Sequence, residues 1–218
     1  MDNLNTMQLI AVWALPVLFA ITVHEVAHGW VARRFGDSTA FMLGRLTLNP
    51  IKHVDPIGTL LVPGLLLMMG GFIFGWAKPV PVAWENLRNP KRDMALVALA
   101  GPVANLLMAI LWALLMKVGL LLGGGQLDML SRPLVYMGAA GISINVMLMV
   151  LNLLPLPPLD GGRVMAGLLP DRLAHAYNRI EPFGFFILLG LLISGALGYI
   201  MTPFVKIVQT GLYSMIGL

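Results

Sequence analysis

The chain contains no cysteine and few charged residues. Asp, Glu, Lys and Arg make up 11% of its 218 residues, and hydrophobic residues make up 58%, whereas about a quarter of a soluble domain is charged. Without cysteine, neither disulfides nor thiolate metal ligands are possible, so a metal site must use His and carboxylate groups. The low charge indicates a protein built for a membrane.

Concentrated positive charge is also missing. The net charge is +4, and the bases lie between apolar runs rather than in a patch with interleaved aromatic residues. Nucleic-acid-binding proteins show such a basic patch. We therefore expect no nucleic-acid partner and take the lipid bilayer as the surroundings of this chain.

Long apolar runs recur along the whole sequence. About 20 apolar residues of helix cross a hydrocarbon core of about 30 Å. Four runs are long enough, and they predict transmembrane helices near 7–32, 94–122, 133–154 and 183–201. The first run is too long for a signal-peptide core and follows no basic residue, so we expect it to be retained. The sequence predicts an all-α integral-membrane bundle that forms a single domain over residues 1–218.

Two further stretches lie between the first and second of these runs. Residues 57–76 are apolar but are broken by Pro63, Gly64, Gly70, Gly71 and Gly75, and broken backbone at membrane depth needs shielding by protein. Residues 41–48 predict a short strand or hairpin at the membrane, followed by the turn signals Asn49-Pro50 and Asp55-Pro56.

Basic residues predict the orientation in the membrane, because short loops rich in Lys and Arg stay in the cytoplasm. They are concentrated in residues 33–55, 77–93 and 155–181, whereas residues 123–132 contain one base. If all three basic segments are cytoplasmic, 57–76 must enter and leave on the same side. The sequence thus predicts a re-entrant segment at 57–76 in a cell-membrane protein.

The first apolar run contains the pattern His24-Glu25-Val26-Ala27-His28. Two imidazoles four residues apart lie on one helix face and can bind a single zinc ion, while Glu25 between them can act as a base. Ionisable side chains inside an apolar span are costly and mark functional sites. The alternative is a structural His pair or a polar lining.

A catalytic zinc site needs a third protein ligand and an open position for water. Asp160 lies in an apolar, proline-rich stretch just beyond the third predicted span and precedes two glycines. It could instead be a helix cap or turn residue. The predicted orientation favours the ligand, because it brings His24, His28, Asp160 and residues 101–105 to one level on the cytoplasmic side.

These motifs resemble those of the site-2 protease family of intramembrane zinc metalloproteases. The resemblance rests on His24-Glu25-x-x-His28, on Gly101-x-x-x-Asn105 and on Leu159-Asp160-Gly161, in the expected order. Residues 44–58 resemble the compact bacterial and archaeal branch, which lacks PDZ and nucleotide-sensing domains. The similarity extends over most of the chain.

The resemblance implies one Zn²⁺ per chain, with His24, His28 and Asp160 as ligands and Glu25 as general base and acid. It also implies cleavage of a transmembrane helix in a membrane-protein substrate, as in regulated intramembrane proteolysis. Asn152 would steady the substrate backbone or the oxyanion, for which an amide donor is suited. The alternative for Asn152 is a hydrogen bond between helices.

The other polar residues in or near apolar runs receive weaker predictions. We expect Asn105 to pack beside Gly101 or to contact a re-entrant strand, and Asn145 to serve in packing. His53 could be a resting-state metal ligand or a substrate guide, and His175 has no predicted role.

Two other classes of protein compete with the protease. A metal or proton transporter would also place His and Asp inside the membrane, but Glu25 beside the His pair favours hydrolysis, which needs a base as well as ligands. The second competitor, a noncatalytic scaffold, would have no need for the complete set of reactive residues.

Overall fold

The computed structural model describes residues 4–61, 78–125 and 127–218, with the backbone alone for residues 59 and 60. These parts of the chain form α-helices and contain no strand. The helices are α1 (Thr6–Arg34), α2 (Thr39–Met42), α3 (Pro90–Leu122), α4 (Asp128–Asn152), α5 (Asp160–Leu168), α6 (Asp171–Asn178), α7 (Glu181–Ile193) and α8 (Ala196–Met215). Short 3₁₀ turns occur at Pro50–His53 and Trp84–Asn86, and a π-helical turn at Pro56–Leu61. The prediction of an all-helical protein is confirmed.

Three helices are long and apolar enough to cross a membrane: α1, α3 and α4. They contain nearly all of the predicted spans 7–32, 94–122 and 133–154.

The ends of α1 have clear local causes. The Asn5 side chain accepts a hydrogen bond from the Gln8 N–H, and the Gln8 side chain accepts one from the Asn5 N–H, which is a reciprocal cap. Arg33 and Arg34 lie in the last turn, where positive charge is favourable.

Helices α3 and α4 form an antiparallel pair at the centre of the bundle. Glycines on α4 allow the close approach, since a Cβ at Gly138 would lie 2.5 Å from Met116 Cβ, and one at Gly141 would overlap the Trp112 ring. Small residues at such positions let helix backbones come together in a membrane. Helix α1 packs across the pair with Ala20 fully buried, so polar groups on all three helices can meet.

The fourth predicted span, 183–201, is divided between two helices. Helix α7 ends at Ile193 and α8 begins at Ala196, with Gly195 between them at φ 75°. Glycine adopts this left-handed conformation at little cost. Helices α6 and α7 together are also apolar enough for a span, but they are bent by 61° at their junction.

The predicted strand or hairpin at 41–48 is wrong. Residues 39–42 form α2 instead, and the chain reverses at Gly44, which has φ 64°. The Asp37 carboxylate accepts hydrogen bonds from the Thr39 N–H and hydroxyl, so local side-chain bonding begins a helical turn just before and into the predicted strand.

The predicted re-entrant segment 57–76 falls mostly on residues 62–77, which lie outside the described residues. Its first part, 57–61, belongs to the π-helical turn Pro56–Leu61. The described residues therefore give no support to a re-entrant course.

Candidate active site

The structure brings the three predicted metal ligands together from two helices. His24 and His28 lie one turn apart on α1, and Asp160 begins α5. Asp160 Oδ2 lies 3.2 Å from His24 Nε2 and 3.3 Å from His28 Nε2, and the two Nε2 atoms are 3.0 Å apart. Two nitrogens and one oxygen thus face a common point.

A chain of amides fixes the proton on His24. Asn145 Nδ2 donates to the Gly141 carbonyl, which can only accept, so Asn145 Oδ1 faces Asn105 and accepts from its Nδ2 at 2.9 Å. The Asn105 Nδ2 also donates to the Ala20 carbonyl at 3.2 Å, which leaves Asn105 Oδ1 to face His24 Nδ1 at 2.6 Å. His24 therefore carries its proton on Nδ1 and presents a lone pair at Nε2.

His28 is oriented in the same sense by backbone. Its Nδ1 lies 2.7 Å from the Val97 carbonyl of α3 and must donate to it, so Nε2 again presents a lone pair. Asp160 Oδ2 is buried and has no hydrogen-bond donor. Three potential ligand atoms thus converge, an arrangement that a cation stabilises.

The donor set fits Zn²⁺. Two imidazole nitrogens and one carboxylate oxygen are among its common ligands, and a catalytic site has three protein ligands with one position open. His24, His28 and Asp160 are grouped closely enough to hold such an ion. The alternative of Asp160 as a capping residue is not observed, because Leu159 is the N-cap of α5 and no side chain caps that helix.

Residues 101–105 of α3 lie against this cluster, at the level that the sequence predicts. A Cβ on Gly101 would lie 2.5 Å from His24 Cε1 and 2.5 Å from His28 Nε2. The expected packing role of Asn105 was incomplete, because this residue contacts His24 directly. Asn145, expected to serve only in packing, continues the same hydrogen-bond chain. The sequence signal for these contacts was the spacing of four residues, which puts Gly101 and Asn105 on one helix face.

A cavity of about 170 Å³ opens beside the cluster, and Glu25, Asn152 and Arg163 are in its lining. Glu25 Oε2 accepts a hydrogen bond from the Val80 N–H at 2.7 Å, so the carboxylate is held by a segment distant in sequence. Asn152 Nδ2 donates to the Leu148 carbonyl, one turn earlier, at 3.0 Å. The predicted base and the predicted amide therefore share one cavity with the metal ligands.

The irregular segment 78–83 forms one wall of this cavity and is tied to the end of α1. The buried Asp37 carboxylate accepts from the Ala83 N–H at 2.8 Å and from Asn86 Nδ2. Burial raises the pKa of Asp37, but hydrogen bonds from Thr39, Ala83 and Asn86 outweigh burial and hold this pKa below its ordinary value. Asp37 thus helps to place the segment whose Val80 N–H holds Glu25. Sequence patterns gave no signal for either contact.

The two remaining histidines lie outside the cluster. His53 is buried, and its Nε2 donates to the Thr47 carbonyl at 2.9 Å. In the described parts of the chain it does not belong to the group of His24, His28 and Asp160 that could hold a metal ion. His175 lines a separate outer cleft together with Lys91 and Asp171.

Comparisons with known proteins agree with this geometry. The sequence profile of peptidase family M50 matches residues 12–126 and 125–195. YwhC of Bacillus subtilis, whose name marks it as a candidate zinc metalloprotease, is 39% identical over 189 residues, covering 87% of this chain and 83% of YwhC. Rip2 of Mycolicibacterium smegmatis, named in the same way, is 32% identical over 201 residues, covering 90% and 73%. Rip2 of Mycobacterium tuberculosis strain H37Rv is 33% identical over 180 residues, covering 81% and 63%.

The comparison with solved structures gives no match. The family match covers most of the sequence, and three apolar helices make the chain a multi-pass membrane protein. The chain is a zinc metalloprotease that belongs to peptidase family M50, the site-2 protease family.

Proposed function

We propose that this protein is an intramembrane endopeptidase, which hydrolyses a peptide bond in or near a transmembrane segment of a membrane-protein substrate. The observation that carries the proposal is that His24 Nε2 and His28 Nε2, on a helix of spanning length, converge with Asp160 Oδ2. His24 precedes Arg34, the last residue of α1, by about 15 Å at about 1.5 Å per residue. Such a site would meet its substrate below the membrane surface.

Each residue then has a defined task. His24, His28 and Asp160 hold the zinc ion, which when bound lowers the pKa of water to about 7 and polarises a carbonyl group. Glu25 removes a proton from the attacking water and returns it to the leaving nitrogen, as a general base and acid. The hydrogen bond from the Val80 N–H to Oε2 keeps the carboxylate in place. Asn152, in the same cavity, donates to the substrate backbone or to the oxyanion.

The surroundings of the site support this class of substrate. The outer faces of α1, α3 and α4 expose many large apolar side chains, as expected for contact with lipid. A partner that reaches the cavity from the bilayer would be another transmembrane segment, and its cleavage would be regulated intramembrane proteolysis.

Substitution of Glu25 by Gln tests the proposal, because Gln keeps an oxygen for the Val80 N–H but cannot take a proton. We expect purified E25Q to retain about one zinc per chain. It should cleave a transmembrane peptide roughly 10²- to 10⁴-fold more slowly than the wild type. The exposed Glu181 of α7 provides the control, and E181Q should cleave normally. Zinc movement across vesicles without any cleavage by the wild type would indicate a transporter instead.

We also propose that the active site faces the cytoplasmic side of the cell membrane, because the basic segments flank it. The chain has no cysteine, so single cysteines can be labelled without background. An impermeant reagent should label Gly125→Cys, between α3 and α4, on intact cells. Arg172→Cys, on α6, should react only after permeabilisation, and the reverse pattern would invert the orientation.

A further inference from the structure

One basic side chain shares the active-site cavity with the metal ligands. Arg163 follows Asp160 by three residues on α5 and is partly buried. Residues three apart on a helix are neighbours, with about 5–6 Å between their Cβ atoms, and both Asp160 and Arg163 line the cavity. Arg163 therefore lies on the same wall of the cavity as the carboxylate ligand.

Arg163 has no acidic partner in the described parts of the chain. Among those residues Lys91 pairs with Asp171 and Arg132 with Asp128, but Arg163 makes no ion pair or hydrogen bond there. Its guanidinium lies over the Trp84 ring, whose centroid is 4.9 Å from Cζ. Stacking orients a guanidinium but leaves its five N–H donors available. The cation is positioned and unpaired.

The two carboxylates in the cavity do not account for this cation. Glu25 is held by the Val80 N–H and Asp160 faces the two imidazoles, and neither forms an ion pair with Arg163. Where water is excluded, a cation acts strongly on any negative charge that develops beside it. During peptide hydrolysis that charge appears on the scissile carbonyl oxygen.

We propose that Arg163 is a further catalytic residue, which binds the scissile carbonyl oxygen as it becomes anionic and then the new C-terminal carboxylate. This inference rests on the proposed function. The water oxygen bonds to the carbonyl carbon, one water proton passes to Glu25, and the carbonyl π electrons move to the oxygen that Arg163 contacts. When the C–N bond breaks, the nitrogen keeps the bonding pair and receives the proton from Glu25. The remaining hydroxyl proton also passes to the amine, which gives a carboxylate and an ammonium group.

A charged donor differs from the amide of Asn152 in a measurable way. Hydrogen bonds with one ionised partner are roughly twice as strong as neutral ones, and one Asn152 N–H is already donated to Leu148. Arg163 should therefore distinguish a product peptide that ends in a carboxylate from the same peptide ending in a carboxamide. Asn152 alone should discriminate much less.

The experiment uses the purified, zinc-loaded full chain and the variants R163Q and R163M. On a transmembrane peptide, R163Q should lower kcat roughly 10²-fold, as does loss of one oxyanion donor, with a smaller change in KM. The wild type should bind the carboxylate product about tenfold or more tightly than the carboxamide, and both variants should lose most of this preference. Zinc content is measured in each sample, because a carboxylate can also bind the metal.

The exposed Arg172 on α6 provides the matched control, and R172Q should retain the kcat and the product preference of the wild type. If either folded, zinc-loaded Arg163 variant matches the wild type in kcat and preference, the assignment is wrong. R163M keeps an apolar stem against Trp84, so it can replace R163Q in this test if R163Q does not fold. If the wild type cleaves no peptide, the proposed function fails, whereas loss of the carboxylate preference in the variants still identifies Arg163 as the anion-binding group.

Discussion

The two halves of the site are built differently. The first half comes from α1, α3 and α4, where His24 is oriented by Asn105 and Asn145, both fully buried. The second half comes from Arg163 of α5, the irregular segment 78–83 that Asp37 holds, and the adjoining Trp84. The side chains of Trp84 and Arg163 are only partly buried. The polar side chains of the first half hydrogen-bond to other protein groups. In the second half, the charged Arg163 and the aromatic Trp84 line the cavity.

This difference separates two tasks. Buried amides and carbonyls with fixed partners determine which imidazole nitrogen faces the metal, and such outer contacts strongly affect metal affinity. Groups on irregular chain hold the base and line the space for substrate. We therefore expect substitutions of the groups that orient or contact the two imidazoles to weaken zinc binding, and substitutions of Asp37 or Arg163 to spare zinc.

The largest effect in the first half is expected for Gly101→Ala. The added Cβ would lie 2.5 Å from an atom of each imidazole, so both rings must move out of position. Zinc affinity should fall by at least the roughly 10- to 100-fold that loss of an outer contact causes, as measured by competition with a chelator. Gly190→Ala in α7, where no atom lies within 4 Å of the new Cβ, should bind zinc normally. Normal zinc affinity in G101A would contradict the tight contact.

A smaller, graded effect is expected along the amide chain. Asn105→Ala removes the acceptor for His24 Nδ1 and should weaken zinc binding roughly 10- to 100-fold. Asn145→Ala should have less effect, because Asn105 still donates to the Ala20 carbonyl. The same chelator competition measures the zinc affinity of both variants and shows which loses more. A greater loss in N145A than in N105A would refute the proposed direction of the chain.

The smallest effect is expected for Asp37 in the second half, and it depends on pH. Because the pKa of Asp37 is lower in the folded protein than its ordinary value of 3.8, its charged form stabilises the fold above that pH. This stabilisation is lost as the pH falls through 3.8 toward the folded-state pKa. Thermal unfolding in detergent can be followed from about pH 6 down to about pH 3. The melting temperature should fall more steeply over this range in the wild type than in Asp37→Asn.

At neutral pH, D37N should keep its zinc but cleave more slowly, since the segment that holds Glu25 is less firmly placed. Loss of zinc from D37N would show that the two halves are not separable.

Local patterns were sufficient for the chemistry and for the long helices. The spacing of His24, Glu25 and His28 places three reactive groups on known positions of one helix, and continuous apolar runs predict α1, α3 and α4. The strand at 41–48 failed because hydrogen bonds from Thr39 to Asp37 begin a helix and Gly44 then turns the chain. The run 183–201 failed as one helix because Gly195 takes a left-handed conformation, which composition does not reveal.

The sequence by itself determined which side chains can bind zinc and which can take a proton, because these are properties of residue type and helical spacing. Only the tertiary structure decided how these side chains are oriented. The Val97 carbonyl and the Val80 N–H are backbone groups that every such residue carries, so no pattern of residue types marks them. Their contacts, and that between Arg163 and Trp84, exist because folding brings distant segments within hydrogen-bonding or stacking distance.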